Sequence, residues 1–341
     1  MPEAALRVLD FGSVRPLRSQ TLWHAVARGV SAGAPPTISF VRPTDPYVCL
    51  GYHRRIDEVD LDLCARRGLP VYRRMVGGGP VYLDNDQLFF QVCLPLASLP
   101  ARRDKALRLL LEPAVEAFRA VGVDASLDRS GEIVVGDAKV CGHGAAQIDE
   151  AVAFVGNLIE HFDHEAASDV VQSPSPEARD LLARLIRRYV RATPCDADAF
   201  REAATDAYAS AFGLEPSVGS LTSAEEEAVA ELDGKFEDPR WRDGLDRAAQ
   251  TTDHSVWRVK VRAGVWAVEA ELAGSRLLAA VVDGRLEAVS VDDAELNGSA
   301  AAVERAIAGW PLGEAEARLV AFGPPGQRLA EALARVGRRL E

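Results

Sequence analysis

The chain has 341 residues, 48% of them hydrophobic and 26% charged, a balance that fits a soluble globular protein and a length that implies two domains. Its 39 basic and 51 acidic residues give a net charge of −12, which excludes a general nucleic-acid binder, since that class needs a strong basic face. No run of eighteen apolar residues occurs, so no membrane span is expected, and the start lacks the charged-then-apolar pattern of a signal peptide, which makes a cytoplasmic location the expectation.

Residues 6–12 read as a first strand and 15–29 as a helix with Leu17, Leu22, Ala25 and Val26 on one side. Strands are expected at 37–42 and 47–51. A short helix over 57–67 starts at an Asp and stops at Gly68. A strand over 69–74 then feeds three consecutive glycines, and residues 81–94 resume the sheet. The stretch 101–120 is amphipathic, with Leu107, Leu110, Leu111, Val115 and Phe118 on one face. Residues 126–135 and 139–148 are expected to pair around a Gly136-Asp137 turn, with Glu132 ahead of an Ile-Val-Val run, and 151–161 forms another strand.

Helices follow at 177–190 and 196–212, separated at Pro194. Pro216, Gly219 and two serines mark a domain boundary between 219 and 220, ahead of a helix over 222–232 whose Thr222 and Glu225 form a capping box. Beyond residue 254 the pattern becomes one strand over 255–272 bent at Gly264 and a hairpin over 277–291 around Asp283-Gly284. Two helices, 298–309 and 326–340, close the chain.

The chemistry concentrates in two segments. Arg73-Arg74-Met75-Val76-Gly77-Gly78-Gly79-Pro80 joins an arginine fork to a glycine loop whose bare N–H groups suit a phosphate or carboxylate. Downstream, Gly136-Asp137-Ala138-Lys139-Val140-Cys141-Gly142 sets a lysine between glycines, where a compact cation can meet charge developing on phosphate or carboxylate oxygens. Cys141, two residues on, would share a strand face with Lys139, and a lysine neighbour can lower a thiol's pKa.

The five cysteines are odd in number and scattered with no CxxC, which argues against a disulfide framework or structural zinc. His161 and His164 read as a polar strand end and turn rather than a metal pair. The small arginine clusters read as solvated helix faces, of which one could dock an acidic protein partner.

In this order and spacing the two segments resemble the biotin/lipoate protein ligase superfamily and, within it, the lipoate–protein ligase A family. The loop of that family matches residues 73–84, its Lys-Ile-x-Gly-x-Ala motif matches Lys139 to Ala145, and Val48 to His53 is similar to its upstream glycine strand. A fainter likeness continues through Lys235-Phe236 and Trp241-Arg242-Asp243-Gly244. Four features depart from the family pattern: Val76 for serine, Pro80 for alanine, Leu83 for histidine, and the tripeptide Val155-Gly156-Asn157 for His-Gly-Thr.

The resemblance implies an α+β protein with a class II synthetase/biotin ligase-like mixed sheet flanked by helices, over 1–219, and a small α+β C-terminal accessory domain, over 220–341. It further implies formation of lipoyl-AMP from ATP and lipoate, with Mg2+, then transfer to a lysine of an acceptor, such as a lipoyl domain of a 2-oxoacid dehydrogenase complex or the glycine cleavage H protein. Lys139 would be catalytic; Arg74, Gly77, Gly78, Gly79, Pro80, Val81, Tyr82, Lys139 and Gly142 would bind ATP or the adenylate. Asp84 and Asp137 are the nearest carboxylates for the metal.

Two alternatives stand beside it. One is an ATP-independent octanoyl- or lipoyltransferase with Cys141 as nucleophile, and the other a non-catalytic protein that binds an acyl group. A biotin ligase fits less well, because no Gly-Arg-Gly-Arg loop is present.

Overall fold

The computed structural model describes residues 5–243, 255–296 and 298–340. They form two compact units: Met1–Ala166 with Arg191–Arg247, and Ala167–Val190 with Ala248–Glu341. The class is α+β.

The first unit is built on a six-stranded mixed sheet in the order His143–Ile148, Ala151–Ile159, Gln87–Pro95, Thr37–Pro43, Ala5–Val14, Glu215–Val218. The last three pair in parallel and the others antiparallel. Gln87–Pro95 lies inside this sheet and is buried along nearly its whole length. Alternation sends Leu88, Phe90, Val92 and Leu94 to a core shared with helices Arg103–Ala120 and Ala197–Phe212. Phe89 and Cys93 go to the opposite face, under helices Arg18–Ser31 and Ser223–Glu237. Both faces are therefore apolar, each fully buried side chain contributing about 1.5–3 kcal/mol.

The boundary expected at 219/220 is displaced. Residues 215–218 add a short edge strand to the sheet, and helix Ser223–Glu237 returns to the first unit. Glu225 keeps its capping box with Thr222 and is also paired with buried Arg7 at 2.5 Å, while Asp233 receives Arg15, Arg18 and Thr21. Breaking the buried pair from one side would cost ~3–5 kcal/mol, a tie that turn residues at 216–219 do not reveal.

The second unit is an antiparallel sheet, Val256–Arg262, Val265–Leu272, Ser275–Val282, Arg285–Asp292. Val268, Ala270, Leu277, Ala279 and Val281 pack on one face with helices Ala300–Ile307, Leu312–Leu319 and Gly323–Leu340. Helix Pro176–Tyr189 lies against the same sheet, with Ser175 Oγ donating to Glu269 at 2.7 Å, and so belongs to this unit rather than to the first.

Four local expectations change. The expected strand 255–272 is a hairpin, because Gly264 adopts φ +80° and reverses the chain instead of bending it. The segment 139–148 divides: Ala138–Lys139 pairs with Ile133–Val135, and His143–Ile148 leaves to pair with Ala151–Ile159. The helix over 57–67 begins later, with Asp60 as the capping residue that accepts the Leu63 N–H. Three helices close the chain, Leu312–Leu319 being the one not expected. The Asp283-Gly284 hairpin forms as read, both residues having positive φ. Among the described residues no helix is long and apolar enough to cross a membrane.

Candidate active site

The glycine loop joins two strands of a small sheet, Val71–Arg73, Tyr47–Leu50, Val81–Leu83. Arg73 is fully buried and points back into the unit. Its guanidinium donates to the carbonyls of Gly51, Tyr52, Arg54 and Arg242, and its own carbonyl accepts the Trp241 indole N–H at 3.0 Å. Trp241 stacks on Phe236 beneath Lys235. The Lys-Phe…Trp stretch is thus a latch on the first arginine of the loop, although Gly244 of that stretch lies outside the described residues.

Arg74 folds over the loop itself. Its guanidinium donates to Cys49 O at 2.7 Å, to Gly77 O at 3.2 and 2.8 Å, and to Gly79 O at 3.0 Å. One planar fork therefore gathers three backbone carbonyls, a task suited to five donors of fixed geometry. Gly78 takes φ +100°, and a Cβ there would meet the Arg74 guanidinium at 2.7 Å. A Cβ on Gly51 would meet Gly78 O at 2.0 Å, so the loop lies directly against the preceding strand end. Gly77 and Gly79 face open space. Pro80 brings no N–H to the loop. Val81 is partly exposed, and burial, with Asp84 next, pushes the Tyr82 phenol up to about 12.

Lys139 stands on the second strand of the tight hairpin around Gly136-Asp137, opposite Val134. Its Nζ lies 2.7 Å from Glu132 Oε2, and His143 Nε2 lies 3.6 Å from the same oxygen. Glu132 is 6% exposed, so the lysine charge is held by a buried carboxylate rather than left to solvent. Glu132 is a residue the motif reading did not assign. The signal was present, because the Gly136-Asp137 turn fixes the register that brings an acid seven residues upstream across to Lys139.

Cys141 does not share a strand face with Lys139. Val140 and Cys141 turn into the core, both fully buried, and burial pushes the thiol up to about 12. Gly142 donates its N–H to Asn157 Oδ1 at 2.6 Å.

The four departures have structural settings. Val76 is buried beside Trp23, Cys93 and Ala153, and Leu83 is buried beside Tyr47 and Phe89. Pro80 closes the loop, and Asn157 holds Gly142.

The carboxylates expected near a metal do not converge. Asp84 is buried and accepts the Asp86 N–H and the Gln87 amide, its carboxyl held above its ordinary range by burial. Asp137 is exposed at the hairpin tip. Among the described residues no group of three His, Cys, Asp or Glu side chains is placed to hold a metal, the His161 and His164 pair included.

A glycine loop closed by Arg74 and a lysine held by a buried carboxylate stand in the one unit built on the helix-flanked mixed sheet, and a fixed cation of this kind can offset negative charge that develops on a bound group. Residues 16–205 match the lipoyl protein ligase A/B catalytic domain, and the chain belongs to that family. It is an enzyme of the lipoate ligase and octanoyltransferase group.

A solved structure of a bipartite lipoate protein ligase and its E2 lipoyl domain from Thermoplasma acidophilum is 27% identical, with TM-score 0.65 over 72% of this chain and 99% of that one. A lipoate-protein ligase A bound with ATP is 26% identical, with TM-score 0.60 over 71% and 99%. The octanoyltransferase LipM of Kyrpidia tusciae is 25% identical over 69% of this chain and 97% of its own.

Proposed function

We propose that the chain is a lipoate–protein ligase, joining lipoate to AMP at the expense of ATP and passing the lipoyl group to a lysine of an acceptor lipoyl domain. Of the two activities among its relatives, the observation that favours ligation is the contrast between a fully buried Cys141 thiol and a Lys139 ammonium held at 2.7 Å on Glu132. A thioester route needs an accessible thiolate. An adenylate route needs a cation fixed where charge develops on the α-phosphate and the acyl oxygen.

In the first step a carboxylate oxygen of lipoate attacks the α-phosphorus and pyrophosphate leaves. The amides of Gly77 and Gly79 face the phosphate, and Lys139 lies between phosphate and carboxyl. In the second step the acceptor lysine attacks the acyl carbon and AMP leaves, with Lys139 again offsetting the negative oxygen. Arg74 contributes by holding the loop in shape. Mg2+ would enter with the ATP phosphates, and among the described residues no set of protein ligands for it is assembled, so no step is assigned to it. The acceptor is a lipoyl domain of a 2-oxoacid dehydrogenase complex or a glycine cleavage H protein, the first by analogy with the E2 lipoyl domain accompanying the Thermoplasma ligase. The reaction takes place in the cytoplasm.

The second reading is octanoyl transfer from an acyl carrier, favoured by the LipM relative at nearly equal identity. ATP–pyrophosphate exchange separates the two. Lipoate-dependent exchange is expected. Octanoyl transfer from acyl carrier protein with no exchange would replace the ligase reading by the transferase one.

A further inference from the structure

Asn157 belongs to one of the four departures from the family motifs, and it begins a buried relay. The Gly142 N–H donates to Asn157 Oδ1 at 2.6 Å, and Asn157 Nδ2 donates to Gln87 Oε1 at 2.8 Å. Gln87 Nε2 in turn donates to Asp84 Oδ1 at 3.3 Å and to Tyr82 O at 3.4 Å. Asn157, Gln87 and Asp84 are each less than 8% exposed. Gln87 and Asn157 come from neighbouring antiparallel strands, Asn157 facing Phe89 and Gln87 facing Ile159, so they are diagonal neighbours on one sheet face.

The direction of every bond is settled by the ends of the chain. A backbone N–H at Gly142 can only donate, and the Tyr82 carbonyl can only accept, so each amide between them has one orientation. One end of the relay is three residues from Lys139, across Val140 and Cys141, which are fully buried. The other end is the strand that leaves the glycine loop. Buried amide chains of this kind rigidify what they join, because an unpaired member is costly.

We propose that Asn157 and Gln87 are positioning residues that set the placement of the Lys139 segment against the glycine-loop strand, and thereby the rate of the chemical step. This rests on the reading that both segments act on one substrate.

The test is a double-mutant cycle with Asn157→Ala and Gln87→Ala, measuring kcat and KM of pyrophosphate exchange per folded enzyme together with Tm. Each single variant is expected to lose about tenfold or more in kcat, as small misplacements do, with KM for ATP and lipoate nearly unchanged. The double variant should be no slower than the slower single, because one break already disconnects the relay. Asn157→Thr, which restores one oxygen able to accept from Gly142 and donate onward, should recover part of kcat.

Additive losses in kcat, or a fall in Tm with wild-type kcat, would overturn the proposal and leave a merely structural network. Where an alanine variant does not fold, Asn157→Leu and Gln87→Met, close in volume and without the amides, carry the same cycle. If the wild-type chain transfers octanoyl groups without exchange, the ligase reading fails on its own, and the same cycle is read on the transfer kcat, where additivity again overturns the relay.

Discussion

The glycine loop and the Lys139 segment are positioned by opposite means. The loop is shaped by a single side chain, Arg74, whose fork collects three backbone carbonyls, so its form is held by donors acting on the main chain. The Lys139 segment is held through side chains, by the carboxylate of Glu132 on the ammonium and by Asn157 on the Gly142 amide. The carbonyls of Gly77 and Gly79 are occupied by Arg74, and a Cβ at either glycine would meet nothing within 4 Å. The lysine keeps its place because its charge is matched below the surface. Sequence motifs name the residues at such a site, but the residue that looks like the ligand can be the clamp.

The largest effect that would test this contrast is at Lys139. Lys139→Ala should cost ~2–3 kcal/mol of transition-state stabilisation, about a hundredfold in lipoate-dependent exchange, by comparison with loss of one oxyanion donor. It should also lower Tm, since Glu132 loses its cation, and adding Glu132→Gln should recover Tm without recovering rate. A wild-type rate in Lys139→Ala would remove the lysine from the mechanism.

Next comes the clamp. Arg74→Lys should behave like Arg74→Ala in both exchange rate and urea midpoint, because a point charge cannot span three carbonyls, and each buried acceptor left unmet costs ~1–3 kcal/mol. Full activity in Arg74→Lys would mean that charge, not geometry, is what the position supplies.

The glycines divide the loop more finely. Gly78→Ala places a Cβ at a positive φ and against Arg74, so a stability loss of ~1–3 kcal/mol is expected. Gly77→Ala meets no protein atom and should fold normally, yet weaken ATP binding if its amide faces the phosphates. Calorimetric titration with ATP beside thermal melts distinguishes the two, and equal ATP affinity in Gly77→Ala would move the phosphate elsewhere.

The smallest effect is expected at Cys141. Cys141→Ala should exchange at the wild-type rate, and iodoacetamide should not label Cys141 in native protein at about pH 8, where a thiol raised this far carries almost no thiolate. Because burial lifts it from an ordinary 9.0 to about 12, its contribution to stability is fully present below about pH 9 and is lost as pH rises toward 12. Inactivation by Cys141→Ala with the fold intact would turn the reading to the transferase.

Much of this was legible in the chain. Helix Arg103–Ala120 follows from helical spacing, the Asp283-Gly284 turn from its dipeptide, and the Thr222 cap from the acid three residues on, while the stretch 81–94 read as one return to the sheet divides into Val81–Leu83 in the small sheet and Gln87–Pro95 in the large one. What was not legible has one character. Ala263-Gly264 reverses the chain although no strong turn dipeptide marks it. Helix Pro176–Tyr189 is amphipathic, but its periodicity cannot say which sheet it covers. The residues flanking 219/220 read as a boundary, yet the ion pair of Glu225 with Arg7, 218 residues apart, returns that helix to the first unit.

By itself the sequence determined the element types, the two motif segments and the family they resemble, because backbone propensity, apolar period and glycine placement act over a few residues. Only the tertiary structure decided that Arg74 is occupied by its own loop, that Glu132 holds Lys139, that Cys141 lies in the core, and that Asn157 and Gln87 join the two motifs. Hydrogen bonds and charges choose partners by distance in space, and once strands pair, that distance no longer follows separation along the chain.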